Sequence, residues 1–192
     1  MNLTTDKMLN EIVASLKGKN IDVHFINSDK DGIEIGELKN GRITLNTNSR
    51  DELSLVFTIA HLFGHYCQFR NYDKYKHLIE AVEKPAPIKV EYDFKNKFWE
   101  YEKEAFGIGK SLMLEAFSVN DDLDNRYQTF MLTDFEHFWD YITTGENEGV
   151  KEFNQRLENN YNQNFKFENH IQPIPVPQFS KEETIKAEVT IY

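Results

Sequence analysis

Two histidines carry the most specific chemistry in this sequence. His61 and His65 are four residues apart, so that on a helix both imidazoles project from one face and can reach one ion. Imidazole nitrogen is a common zinc ligand, and helical zinc sites use this spacing. The pair is a weak signal by itself, because histidines four apart on a helix are often structural or solvated. Its meaning depends on the elements around it.

The first half of the chain predicts a helix, a small sheet and the helix that carries both histidines. A helix is expected over about residues 5–17, where apolar residues recur at helical spacing. Three β-prone runs follow, at residues 21–26, 33–38 and 43–45. The last two are separated by Asn40-Gly41, a strong signal for a tight hairpin turn, so we expect a small antiparallel sheet. An uninterrupted stretch over residues 50–69 then predicts the histidine helix.

The second half predicts further helices. A short helix is expected over residues 71–82, before a break at Pro85-Ala86-Pro87, where proline restricts the backbone. A long helix is expected from 94 to 118. Two more helical stretches are expected within residues 121–160, divided around Gly145.

The C-terminal segment differs in character. Prolines at alternate positions (Pro173, Pro175 and Pro177) predict an extended course, and the last residues are β-prone. We expect one domain over residues 1–170, with a core at 5–118 and a helical extension at 119–170, followed by a Pro-rich extended tail at 171–192. The tail is interpreted as a strand of the chain's own sheet, a partner-binding arm or a disordered segment.

The histidine run resembles a known family. Residues 57–65 read Phe-Thr-Ile-Ala-His-Leu-Phe-Gly-His, which resembles the stretch ending in His-Glu-Leu-Gly-His in the ImmA/IrrE family of zinc metallopeptidases. The preceding order of helix, strand and hairpin, with a last strand similar to residues 43–46, also matches that family. The resemblance covers roughly residues 5–115. It implies an α+β, zincin-like fold and a zinc ion held by His61, His65 and a ligand from a later helix.

The resemblance also implies the third ligand. Residues 102–109, followed by Leu112-Met113-Leu114, are similar in register to the family segment that supplies it, which makes Glu102 the ligand. Glu104 is the nearest competitor, two residues later on a different part of the helix surface. Without the histidine pair, the ordinary interpretation of Glu100, Glu102 and Glu104 is a solvated acidic face.

The departures from the family concern catalysis. Leu62 stands where the family has the glutamate that takes a proton from zinc-bound water, and leucine cannot do this. Loss of a general base typically costs about 10²–10⁴ in rate. Phe106 occupies the family's Asn position and Glu115 its Pro position. Glu104 is the one alternative base, although nothing in the sequence positions it.

Composition restricts the classes of partner. The 22 Lys and Arg against 32 Asp and Glu leave a net charge of −10, which gives no support to direct nucleic-acid binding. Cys67 is the only cysteine, so no internal disulfide can form. No signal-peptide pattern is present at the N-terminus, and the longest apolar stretch, residues 53–67, is too short and too polar to cross a bilayer. We therefore expect no membrane partner and a cytoplasmic protein.

Two functional hypotheses follow. The first is a zinc-binding, metallopeptidase-like protein whose peptidase activity is weak or lost; the resemblance implies a protein or peptide partner, such as a repressor or a stress regulator. The second is a metal-free interaction or regulatory protein that keeps only the peptidase fold, with His61 and His65 as polar groups in a filled cleft. The other histidines are expected to be structural or exposed: His24, His77, His137 and His170.

Overall fold

A computed structural model describes residues 4–27, 36–39, 42–48, 51–69, 72–82, 84–146, 148–162, 170–177 and 188–191. The helices in these ranges are α1 (Thr5–Gly18), α2 (Glu52–Phe69), α3 (Tyr72–Val82), α4 (Phe94–Ala116), α5 (Asp121–Thr144) and α6 (Val150–Asn162). The strands are β1 (Asp22–Ile26), β2 (Gly36–Lys39), β3 (Arg42–Asn46) and β4 (Glu188–Ile191). The predicted α+β class is confirmed.

The strands form one mixed sheet in the order β1-β3-β2-β4. β2 pairs antiparallel with both β3 and β4, whereas β1 runs parallel to β3. The prediction of an antiparallel sheet is therefore wrong. The antiparallel pairing expected of the last two runs is present between β2 and β3, but β1 joins the sheet parallel to β3, whose Ile43 and Leu45 are fully buried. The Asn40-Gly41 turn lies outside the described residues.

The helices begin and end at recognisable signals. Asp51 caps α2, because its carboxylate accepts hydrogen bonds from the Ser54 backbone N–H at 2.9 Å and from the Ser54 hydroxyl at 2.8 Å. Asn120 caps α5 by accepting from the Leu123 N–H at 2.8 Å. α5 ends at Thr144 and is followed by Gly145, whose φ of 78° is the left-handed conformation that glycine adopts freely. The predicted division around Gly145 is confirmed.

The main core surrounds α2, which is buried on all sides from Ser54 to Gln68. The sheet, α1, α4, α5 and α6 contribute apolar side chains to this core, and Cys67 faces it. A second, largely aromatic cluster joins α3, α4 and α5; its buried members are Tyr75, Leu78, Ile79, Phe98, Tyr101, Phe135 and Ile142. Phe69 and Trp99 pack against both clusters and connect them. None of the described helices combines the length and apolar character needed to cross a membrane.

The C-terminal segment contacts the rest of the chain in two places. Residues 170–177 run in an extended course along α4 and α5, and β4 pairs with β2 at one edge of the sheet. The strand-forming interpretation of the tail is confirmed for β4. The division into a domain ending at residue 170 and a separate tail stays a prediction.

Candidate metal centre

Two histidines on α2 and a glutamate on α4 meet in the interior. His61 Nε2 lies 2.9 Å from Glu102 Oε2, and His65 Nε2 lies 3.3 Å from the same oxygen. One ligand atom from each side chain lies within 4.8 Å of the other two. All three side chains are buried. Among the described residues, this is the group of three that can hold a metal ion.

Close packing of α2 against α4 brings these side chains within reach of one another. A Cβ atom built on Gly64 would collide with the backbone of Ala105, and one built on Gly109 would collide with the carbonyl of Ala60. The two helix backbones therefore nearly touch where glycine leaves room. Glu102 lies one turn before Ala105 on α4, so the closest approach of the helices is at the level of the candidate ligands.

The second ring nitrogen of His65 is held by Gln68. The Gln68 amide Nε2 donates to the Tyr101 carbonyl at 2.7 Å, which leaves the amide oxygen facing His65. His65 Nδ1 lies 2.9 Å from Gln68 Oε1 and can donate to it, and this contact turns Nε2 toward Glu102. Such outer contacts fix the tautomer and the orientation of metal-binding imidazoles.

Asp134 on α5 faces the second ring nitrogen of His61, and the sequence interpretation did not find it. Its Oδ2 lies 3.1 Å from His61 Nδ1, although the N–H direction falls short of a hydrogen bond. Asp134 is buried, with 3% of its surface exposed. One signal was available: Asp134 continues the apolar helical stripe of Tyr127, Phe130 and Met131, where a carboxylate needs a partner.

Charge is unevenly distributed in the cluster. Burial would lower the pKa of His61, but the polar contacts and negative charges of Asp134 and Glu102 outweigh burial and raise this pKa to about 9. Burial would raise the pKa of Glu102, but the charges and hydrogen bonds of His65 and His61 lower it to about 2. Without an ion, His61 and Glu102 thus form a buried, oppositely charged pair.

Apolar side chains close the site. The Phe106 ring stacks on the His61 imidazole, with 3.8 Å between centroids and 16° between planes. Phe106 and Leu62 both have no exposed surface and belong to the main core. Leu62, at the family's general-base position, is thus a core side chain.

The other candidates lie elsewhere. Glu104 forms an ion pair with Lys74 at 3.1 Å on the surface, so the structure does not bring it to the histidine pair as a ligand or a base. Glu115 pairs with Lys19 at 2.8 Å. His24, His77 and His170 are exposed, whereas His137 is buried 3.4 Å from Glu148.

The donor set suits zinc. Two imidazole nitrogens and one carboxylate are ligands that zinc accepts, and three protein ligands leave a fourth position. Comparison with known proteins adds no support, because no family model, curated protein or solved structure matches this chain.

Proposed function

We propose that this chain is a zinc-binding relative of the ImmA/IrrE peptidases that has lost efficient peptidase activity. One observation carries the proposal: both Nε2 atoms approach the same oxygen of Glu102, while each Nδ1 faces a buried polar partner, Asp134 or Gln68. This arrangement is what a metal site with oriented histidines requires. His61, His65 and Glu102 would hold the ion, which when bound would polarise a carbonyl or a water molecule.

The surroundings of the site argue against efficient hydrolysis. A peptidase needs a base that removes a proton from the attacking water, and Leu62 cannot act as one. A catalytic metal also needs an accessible coordination position, whereas Phe106 covers the imidazole of His61. The protein therefore uses the ion to hold α2 and α4 together. It binds a protein or peptide partner, such as a repressor or a stress regulator, without cutting it.

A second candidate function is a metal-free interaction protein. It is favoured by the raised pKa of His61 and the lowered pKa of Glu102, since an oppositely charged pair can satisfy these buried groups without an ion. In this case Asp134, His61 and Glu102 form a structural polar network inside the core.

Metal content separates the two candidates. Protein purified without a His tag or a chelator should contain close to one zinc per chain by elemental analysis. Zinc at 100 times its Kd should stabilise the apo protein by about 2.7 kcal/mol, seen as a raised Tm. Glu102→Gln should abolish both effects, and Glu104→Gln, which alters an exposed ion pair, should leave both unchanged. A metal-free protein whose Tm ignores added zinc would rule out the zinc-binding function.

A further inference from the structure

An extended segment of the chain occupies a groove between α4 and α5. We call residues 170–177 the strap; its sequence is His-Ile-Gln-Pro-Ile-Pro-Val-Pro. Ile171 is buried, and Ile174 and Val176 pack partly buried against the main core. Every proline of the strap is exposed: Pro173, Pro175 and Pro177. The prolines thus stiffen an extended backbone, while the aliphatic side chains between and before them make the contacts.

The groove contacts the strap backbone through buried polar side chains. The Gln128 side chain, 1% exposed, accepts from the Ile171 N–H at 3.1 Å and donates to the Ile171 carbonyl at 3.4 Å. Lys110, also buried, donates to the same carbonyl at 2.9 Å. An amide that pairs with both backbone groups of one residue recognises an extended chain whatever its side chains are.

The charge on Lys110 is balanced within the groove. Its ammonium lies 2.6 Å from Asp124 Oδ1 on α5, and Asp124 Oδ2 lies 3.9 Å from the exposed His170 ring at the start of the strap. Burying a lysine is unfavourable unless its charge is paired and its hydrogens are bonded. Asp124 pairs the charge of Lys110, and the Ile171 carbonyl accepts one of its hydrogens. A chain bound in the groove therefore satisfies Lys110 when it presents a free carbonyl at this point.

Gly107 gives the strap its closest approach to α4. The Gly107 carbonyl accepts from the Ile174 N–H at 2.9 Å, and a Cβ on Gly107 would lie 2.8 Å from the Ile174 side chain. Glycine in a helix interior costs about 1 kcal/mol relative to alanine. Here the absence of a side chain lets the strap pack against α4, and the contacts of the strap offset this cost.

We propose that the α4–α5 groove is a recognition site for extended peptides with an isoleucine two residues before the first of several alternate prolines. In the isolated chain the strap fills it, and a partner protein carrying such a segment binds by displacing the strap. The site is distinct from the candidate metal centre, because none of the strap contacts described above involves His61, His65 or Glu102. Main-chain recognition supplies affinity, and the pockets for Ile171 and Ile174 supply specificity.

A labelled peptide tests this proposal in the full chain. A fluorescein-labelled peptide with the sequence of residues 170–177 would be titrated with each protein and followed by anisotropy. The strap competes in wild type at a millimolar effective concentration, so binding should be weak. Replacing Ile171 and Ile174 by Ser in the protein weakens the strap, and we expect this double variant to bind the peptide at least about tenfold more tightly. A peptide with serine at both positions should not bind.

The groove itself is tested by Gln128→Ala added to the double variant. Loss of two hydrogen bonds to a buried backbone should weaken peptide binding about tenfold or more. A double variant with wild-type circular dichroism that fails to bind the peptide would overturn the proposal. Equal binding of the serine-substituted peptide would overturn it too.

Gly107→Ala tests the groove without changing the sequence of the strap. The new methyl group should displace the strap, so amide hydrogen exchange at Ile171 and Ile174 should accelerate at least about tenfold while α4 stays protected. This variant should also fail to bind the peptide, because its groove is blocked. Exchange unchanged from wild type would show that the close approach does not hold the strap, contrary to the proposal.

Discussion

At the scale of single residues, Leu62 limits the chemistry of the histidine pair. It follows the first histidine directly, yet its side chain is fully buried in the main core. Leu62→Glu should therefore not restore a peptidase. A carboxylate without a partner at this position should lower the free energy of unfolding by about 3 kcal/mol or more, measured by urea denaturation.

The matched control for this change is Leu114→Glu. Leu114 lies on α4 with 47% of its surface exposed, so its carboxylate would stay in water and stability should change little. A folded Leu62→Glu protein that cleaves an unstructured substrate in a zinc-dependent manner would contradict our expectation. Such a result would mean that the side chains at positions 62 and 106 can move aside and admit substrate to the ion.

Asp134 is the residue-scale feature that the resemblance did not reveal. Because it faces His61 Nδ1, it should hold the imidazole with Nε2 toward the ion. We expect Asp134→Asn to weaken zinc affinity about 10–100-fold, measured by competition with a chromogenic chelator.

Glu136→Gln is the control for Asp134. It removes one negative charge from an exposed position on the same helix, so zinc affinity should be unchanged. Equal affinities of wild type and Asp134→Asn would show that His61 keeps its orientation without the carboxylate.

At the scale of elements, the crossing of α2 and α4 determines whether the three candidate ligands meet. Gly64 permits this crossing, since any Cβ there would overlap the Ala105 backbone. Gly64→Ala should push the helices apart, reduce stability by about 1–3 kcal/mol and lower zinc affinity in the same protein. Thermal unfolding and metal competition would measure the two effects.

Gly18→Ala is the matched control for Gly64. No atom lies within 4 Å of the Cβ that this change would add at the end of α1. Stability should stay the same or rise slightly, because alanine favours helix. If Gly64→Ala changed stability as little as Gly18→Ala, α2 and α4 could move apart to accept a methyl group, contrary to our expectation.

The sequence predicted elements better than it predicted their partners. The helices follow from local signals: apolar residues at helical spacing, and Gly145 as a stop. The parallel pairing of β1 with β3 depends on which strand is buried, and burial depends on contacts far apart in the chain. The same limit applies to the site. The motif resemblance suggested His61, His65 and Glu102, whereas Asp134 enters from a helix that the motif does not include.

At the scale of the whole molecule, two apolar clusters share Phe69 and Trp99. We therefore expect them to unfold together in one transition. Phe98 is 1% exposed at the centre of the aromatic cluster, so Phe98→Ala should cost about 3–5 kcal/mol. Tryptophan fluorescence, which reports on this cluster through Trp99 and Trp139, and far-UV circular dichroism should give the same midpoint.

A mismatch between the two probes would contradict a shared core. If fluorescence changed at a lower urea concentration than circular dichroism, α3 and its contacts would unfold before the main core. Tyr92→Ala is a suitable control, because Tyr92 is fully exposed and should leave both midpoints in place.

The glycine at the helix crossing has a consequence for how this domain can diverge. Each single-nucleotide change of a glycine codon that alters the amino acid adds a side chain or stops translation. The packing of α2 on α4 thus restricts position 64 whether or not an ion is bound. In descendants that abandon metal binding, His61 and His65 can change only together with their buried partners, whereas Gly64 cannot change at all. A lineage that retains the glycine but varies both histidines would therefore have lost metal binding while keeping the same fold.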